Sequence, residues 1–177
     1  MLVIEGSDCL GKTTLAKKIV EKVMNRGYPA IYSHMGRPNE SIFDFFLSYK
    51  KMINPYFVMD RFHLGGLAYH HNKISQQKLQ IINAWIRSVG GLIVILYASA
   101  EDKYRKRLEN DKRGNLLSIE KLCAGNTFFK KYALNNDSDY NFNIIPCGYP
   151  NNINYVNDYD IDEIVNKWVQ RRQLLGI

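Results

Sequence analysis

Along most of the chain, short apolar runs alternate with stretches in which apolar residues recur every three or four positions. The runs Leu2–Glu5, Ala30–Ser33, Tyr56–Met59, Leu92–Tyr97 and Phe142–Pro146 predict strands. The fourth, LIVILY, is apolar throughout, the pattern of a strand in the middle of a parallel sheet. Helical spacing covers Lys12–Arg26, with Leu15, Ile19, Val20 and Val23 on one side and Gly27 as the stop. It recurs from Ser41 to about Met52, where Asn54-Pro55 breaks it, and over Leu64–His71. From Ser75 to Val89 the inward stripe is Leu79, Ile82, Ile86 and Val89, ended by Gly90-Gly91. Three further helices are predicted at Glu101–Asn110, Ile119–Leu134 and Ile161–Leu175. The last carries Ile161, Ile164, Val165, Trp168 and Val169 inward. Met35–Asn39, Asp111–Ser118 and Cys147–Asn157 read as loops. Strands that alternate with helices predict an α/β domain with a mainly parallel five-stranded sheet flanked by helices. The 177 residues suffice for one such domain, spanning 1–177.

The first predicted strand runs directly into IEGSDCLGKTT. Gly6, Gly11, Lys12 and Thr13 satisfy G-x-x-x-x-G-K-[ST], with a strand before the motif and a helix after it. Each part has a task. The glycines let the backbone of Gly6, Ser7, Asp8, Cys9, Leu10 and Gly11 curl so that successive amides face a phosphate. The helix that starts at Lys12, Thr13 and Thr14 adds the partial positive charge of its N-terminus. Lys12 supplies a cation to the β- and γ-phosphates of ATP, and the Thr13 hydroxyl suits Mg²⁺.

A second chemical stretch is VMDRFHLGGLAYH, where the third strand ends at Asp60-Arg61. In open parallel sheets ligands collect beyond the carboxyl ends of strands. Asp60 there suits the ordering of waters on Mg²⁺, and Arg61 suits an acceptor phosphate held by a two-pronged guanidinium. Arg37, in the loop after the second strand, is a second candidate phosphate clamp. The neighbouring Ser33-His34-Met35-Gly36 offers no carboxylate to take a proton from a sugar hydroxyl, which favours an acceptor that is already phosphorylated. His34 is left as the alternative base.

Charge and cysteine content refine this picture little. Lys and Arg outnumber Asp and Glu by 24 to 17, and the net charge of +7 suits a partner that carries phosphates, small or polymeric. The three cysteines, Cys9, Cys123 and Cys147, form no CxxC or Cys/His cluster and fit a reducing compartment. MLVIEG reads as a strand and not as a leader, and no apolar run has the length of a membrane span, so a cytoplasmic location is expected.

IEGSDCLGKTTLAKKI with NRGYPA after it, DRF followed by Gly66-Leu67-Ala68-Tyr69, Arg113-Gly114-Asn115-Leu116 with Glu120, and Phe128-Phe129 together resemble the thymidylate kinase family of nucleoside monophosphate kinases. The resemblance implies a three-layer P-loop kinase fold with a short lid at about 111–118. It implies ATP and Mg²⁺ as phosphoryl donor and a deoxynucleoside monophosphate, dTMP or a modified pyrimidine relative, as acceptor. Asp8 would meet the 3′-hydroxyl of the acceptor's deoxyribose, and Tyr69 would line the acceptor site. Base specificity does not carry over. The stretch His34–Pro55 is shorter than in the family and lacks its Phe-x-x-x-Arg, while Phe43, Phe45, Phe46 and Tyr49 read as core. Leu117-Ser118 replace the family's Asp-Arg, and Cys9 stands where some members have an arginine. The cation at the transferring group is therefore expected from the lid, with Arg113 as the candidate ahead of Lys112, Arg105 and Arg107. Three alternatives stay open: a kinase acting on nucleic acid, a deoxynucleoside kinase, and a protein that binds ATP without turnover. The expected partners are nucleotide substrates, with nucleic acid or a second copy of the chain left open.

Overall fold

In the computed structural model the described residues are 1–36, 47, 56–69, 74–111, 117–137, 144–149 and 158–176. The elements are β1 (Leu2–Gly6), α1 (Lys12–Asn25), β2 (Ala30–His34), β3 (Tyr56–Asp60), α2 (Leu64–Ala68), α3 (Gln76–Ser88), β4 (Leu92–Ala98), α4 (Glu101–Glu109), α5 (Ile119–Asp137), β5 (Ile144–Tyr149) and α6 (Asp158–Leu174). The strands lie in the order β2-β3-β1-β4-β5, and every neighbouring pair is parallel.

Helices cover both faces of the sheet because successive strand residues point to opposite sides. Leu2, Ile4, Val58, Leu92, Val94 and Leu96 pack with Leu15, Ile19 and Val23 of α1 and with Ile164, Val165 and Trp168 of α6. Val3, Phe57, Met59, Ile93 and Ile95 pack on the other face with Leu64 of α2, Ile82 and Ile86 of α3 and Phe129 of α5. β1 and β4 are buried along their whole length, and β4 reads as an unbroken apolar run. β3 and β4 flank β1 on opposite sides. Strand order therefore reverses at β1, and a crevice opens beyond its carboxyl end.

The predicted elements are found with shifted ends. β5 reaches Tyr149, past the predicted end at Pro146, because Cys147 and Tyr149 continue the register against Leu96 and Ala98. It lies at the edge of the sheet, where Pro146 is tolerated although it cannot donate a ladder hydrogen bond. α5 continues past Leu134 to Asp137. Of the predicted helix at Ser41–Met52, Leu47 is described and is helical. Arg37, Phe43, Phe45, Phe46, Tyr49, His70, His71 and the lid residues 112–116, Arg113 included, lie outside the described residues. Among the described residues no helix is long and apolar enough to cross a membrane.

Candidate active site

The phosphate loop leaves β1 at Gly6, which is paired with Leu96 of β4. Gly6 has φ +134°, and a Cβ there would lie 2.1 Å from the Leu96 carbonyl oxygen. Both the backbone angle and the contact demand glycine. Gly11 caps α1 with φ +80° but has open space around its Cβ position, so its requirement is conformational alone. Cys9 also sits at positive φ, 62°. The first turn of α1 contains no acidic residue that would oppose an anion at its N-terminus.

The loop is held from outside by side chains distant in sequence. The Ser7 hydroxyl donates to Asn126 Oδ1 at 2.8 Å. The same amide bridges the backbone of Ala98 through both its oxygen and its nitrogen, at 2.8 and 2.9 Å. The Tyr104 hydroxyl donates to the Asp8 carbonyl at 3.0 Å. The Cys9 thiol lies 2.8 Å from Asp111 Oδ2, at the threshold of the predicted lid.

Lys12 is buried with its ammonium on the carbonyls of Gly6 and Ser7, at 2.9 and 2.6 Å, and on Asp8 Oδ1 at 3.2 Å. Burial lowers its pKa, while the adjoining Asp8 charge opposes that shift. The ammonium is thus stored at the loop with one carboxylate partner, within reach of a phosphate bound there.

Strand register builds the next group. Ile4, Asp60 and His34 stand side by side on β1, β3 and β2. Asp60 is fully buried. Its Oδ2 accepts from the Thr13 hydroxyl at 2.6 Å and the Tyr32 hydroxyl at 3.2 Å, and lies 2.8 Å from His34 Nδ1. Its Oδ1 is buried and has no hydrogen-bond partner among the described residues. Thr13 gives its proton to Asp60 and so keeps its lone pairs for a cation. The unsatisfied Oδ1 beside it fits a hydrated magnesium ion, since a buried carboxylate oxygen requires a donor or a charge.

Arg61 turns the other way. It has φ +73°, and its guanidinium lies 2.7 Å from Asp8 Oδ1 at the mouth of the loop. The two side chains are 44% and 26% exposed, which leaves the pair open to a ligand. Asp60 and Arg61, adjacent in sequence, therefore serve different partners. Tyr69 packs directly over α5: a Cβ at Gly125 would come within 2.2 Å of its ring. Burial and the Asp8 charge push its hydroxyl pKa up.

Beneath this layer lies a buried polar chain. Glu5 Oε1 accepts from the backbone amides of Phe62 and Leu64, at 3.0 and 2.8 Å. His63 Nε2 meets Asn83 Oδ1 at 2.8 Å, and Asn83 donates to the Tyr132 hydroxyl at 3.1 Å. With the Asn83 carbonyl facing it, Nε2 carries the proton, and Nδ1 lies 3.9 Å from Glu5 Oε1. Desolvation pushes Glu5 up to about 7 and His63 down to about 4.

No protein-family model matches the chain, and no curated protein is significantly similar to it in sequence. Among solved structures, a gluconokinase from Sinorhizobium meliloti 1021 matches with a TM-score of 0.54, covering 99% of this chain and 94% of its own at 12% identity. A deoxyadenosine kinase from M. mycoides, solved with the products dCMP and a flexible dCDP, gives a TM-score of 0.50 over 96% of this chain and 98% of its own at 17% identity. The chain has the fold of the P-loop kinases. The match supports that broad fold and not the thymidylate kinase family in particular.

The structure brings Gly6, Asp8, Lys12, Thr13, Asp60, Arg61 and Tyr69 close to one another. Of the alternative lid cations, Arg105 faces Glu120, with Nη1 3.6 Å from Oε1. Asn126, Tyr104, Tyr32 and the bracing role of Glu5 escaped the sequence reading. A signal existed for Asn126, which interrupts the buried stripe Leu122, Phe129, Ala133 of α5 with a polar residue. Glu5 likewise ends an otherwise apolar strand.

Proposed function

We propose that the protein is an ATP-dependent phosphotransferase whose acceptor is a deoxynucleoside monophosphate, dTMP or a modified pyrimidine relative. The observation that carries this reading is the Arg61–Asp8 pair at the open mouth of the phosphate loop. A guanidinium beside a carboxylate suits a ligand that presents a phosphate to one and a sugar hydroxyl to the other.

The loop amides, the α1 N-terminus and Lys12 hold the β- and γ-phosphates of ATP. Thr13 and Asp60 would hold Mg²⁺, which neutralises charge on those phosphates when bound. An oxygen of the acceptor phosphate forms a bond to the γ-phosphorus, the bond from that phosphorus to the bridging oxygen breaks, and ADP leaves with the electron pair. That acceptor oxygen is already anionic, so no side chain has to remove a proton. Arg61, with Arg37 as a second clamp, fixes its direction, and Asp8 holds the sugar. Arg113 completes the cations at the transferring group.

A coupled ADP-release screen over nucleosides, monophosphates and DNA tests this reading. ADP formation driven by dTMP or a related monophosphate is expected, and no ADP with any monophosphate overturns it. One observation favours a second reading. His34 Nδ1 is held by the buried Asp60 at 2.8 Å while the side chain is 46% exposed, the arrangement of an oriented base. Turnover of nucleosides but not of monophosphates, lost in His34→Gln, would establish a hydroxyl acceptor instead.

A further inference from the structure

Glu5 is an acid where the rest of β1 is apolar, and it is 1% exposed. Burying a carboxylate costs more than burying a hydrophobe of similar size unless its lone pairs are used. Its Oε1 is used by the amides of Phe62 and Leu64, at 3.0 and 2.8 Å, and not by any group of the phosphate loop. Immediately before them, the Arg61 amide donates to the Ile4 carbonyl at 2.8 Å. The turn that follows β3 is thus pinned to β1 at Arg61, Phe62 and Leu64. The residue that most needs pinning is Arg61, whose φ of +73° is a conformation that a side chain with a Cβ rarely adopts. Lys12 and Arg61 also lie close enough to pull the Glu5 pKa down against its burial.

We propose that Glu5 is a positioning residue for the acceptor: its carboxyl group holds the Arg61–Leu64 turn in its left-handed entry and thereby aims the Arg61 guanidinium at the cleft. This rests on the reading that Arg61 faces the acceptor. Kinetics use whichever acceptor turns over fastest in the screen, so they do not depend on its being a monophosphate. Glu5→Ala is expected to raise the acceptor KM by about tenfold or more and to leave the ATP KM within about twofold. Glu5→Gln keeps an oxygen for both amides and should stay within about threefold of wild type on both. In an Arg61→Ala background, Glu5→Ala should change the acceptor KM by less than about twofold, because the group it acts through is gone. Equal rises in both KM values, full additivity with Arg61→Ala, or loss of acceptor affinity in Glu5→Gln would overturn the proposal.

Should Glu5→Ala fail to fold, Glu5→Asp withdraws the carboxylate by one methylene and carries the same expectations. A second arm needs no substrate. Amide exchange at Phe62 and Leu64 should quicken by about tenfold or more in the Ala or Asp variant, with Leu15 and Val94 unchanged. Unchanged exchange at Phe62 and Leu64 overturns the proposal, even if the wild type phosphorylates no monophosphate and the proposed function falls on its own.

Discussion

Between Gly6 and Thr14 the proposed donor side occupies one unbroken stretch of sequence, whereas the proposed acceptor side draws Arg61 and Tyr69, from after β3, to Asp8 of the loop. The donor side works through backbone conformation. Gly6 and Gly11 adopt angles that the loop requires, and Lys12 bonds to carbonyls of its own loop. Around Asp60, by contrast, side chains meet because parallel register sets Ile4, Asp60 and His34 abreast, and Arg61 meets Asp8 only because β3 ends beside the loop. A local motif survives as a pattern because its geometry is carried by consecutive residues. A gathered site survives only as long as the sheet keeps its register, and its members can be exchanged one at a time. On the proposed reading, donor chemistry rests on the backbone of one loop and acceptor chemistry on side chains that the fold brings together.

The sharpest break of that contrast is Lys12→Ala against Arg61→Ala. Removing Lys12 deletes the cation at the transferring phosphate, and kcat is expected to fall by about a thousandfold or more for every acceptor, roughly 4 kcal/mol of transition-state stabilisation. Removing Arg61 should act mainly on acceptor KM, with ATP KM unchanged. Steady-state kinetics with each substrate varied in turn check both. Full activity in Lys12→Ala would refute the donor assignment, and equal losses on both substrates in Arg61→Ala would dissolve the division between the two sides.

How far each side was legible follows from the same division. LIVILY announced a central strand because both its faces are covered, and it is buried throughout. The phosphate-loop motif was legible as a pattern, since strand, glycines, Lys12 and Thr13 follow one another. DRF marked the end of β3, but only the fold reveals that Asp60 turns to Thr13, Tyr32 and His34 while Arg61 turns to Asp8. No spacing rule links Ser7 to Asn126 or Asp8 to Tyr104, because those contacts depend on where α5 and α4 cross the sheet. The end of β5 was missed for a related reason: Cys147–Asn157 reads as a loop by composition, yet register against β4 carries the strand on to Tyr149. The thymidylate kinase resemblance was legible as a P-loop kinase fold, since the phosphate loop behind it is shared by that whole fold.

Within the donor side, the two loop glycines offer a second comparison. Gly6→Ala meets both an unfavourable φ and the Leu96 carbonyl at 2.1 Å. Strain and overpacking together should cost roughly 3–5 kcal/mol, read as a large drop in denaturant midpoint or a failure to fold. Gly11→Ala meets nothing within 4 Å and should cost only the conformational part, about 1 kcal/mol. Similar costs at both positions would mean that sterics against β4 do not shape the loop.

The last comparison concerns the buried polar chain beneath the Arg61 turn. Glu5, pushed up to about 7, stays protonated in the fold at a pH where the unfolded chain has released that proton. The native state then binds more protons, so this group's contribution to stability falls as pH rises from about 4.5 to about 7. His63, pushed down to about 4, acts oppositely: its contribution rises with pH up to its ordinary value of 6.5. The two nearly cancel between about 4.5 and 6.5, which leaves the wild type little changed by this chain across that window. Glu5→Gln removes one half of the cancellation. Relative to wild type, the variant should gain stability steadily from pH 4.5 to 7, by about 3 kcal/mol at most, in urea melts at stepped pH. A difference that is flat with pH would mean that Glu5 is ionised throughout, and that Lys12, Arg61 and the two amides outweigh its burial.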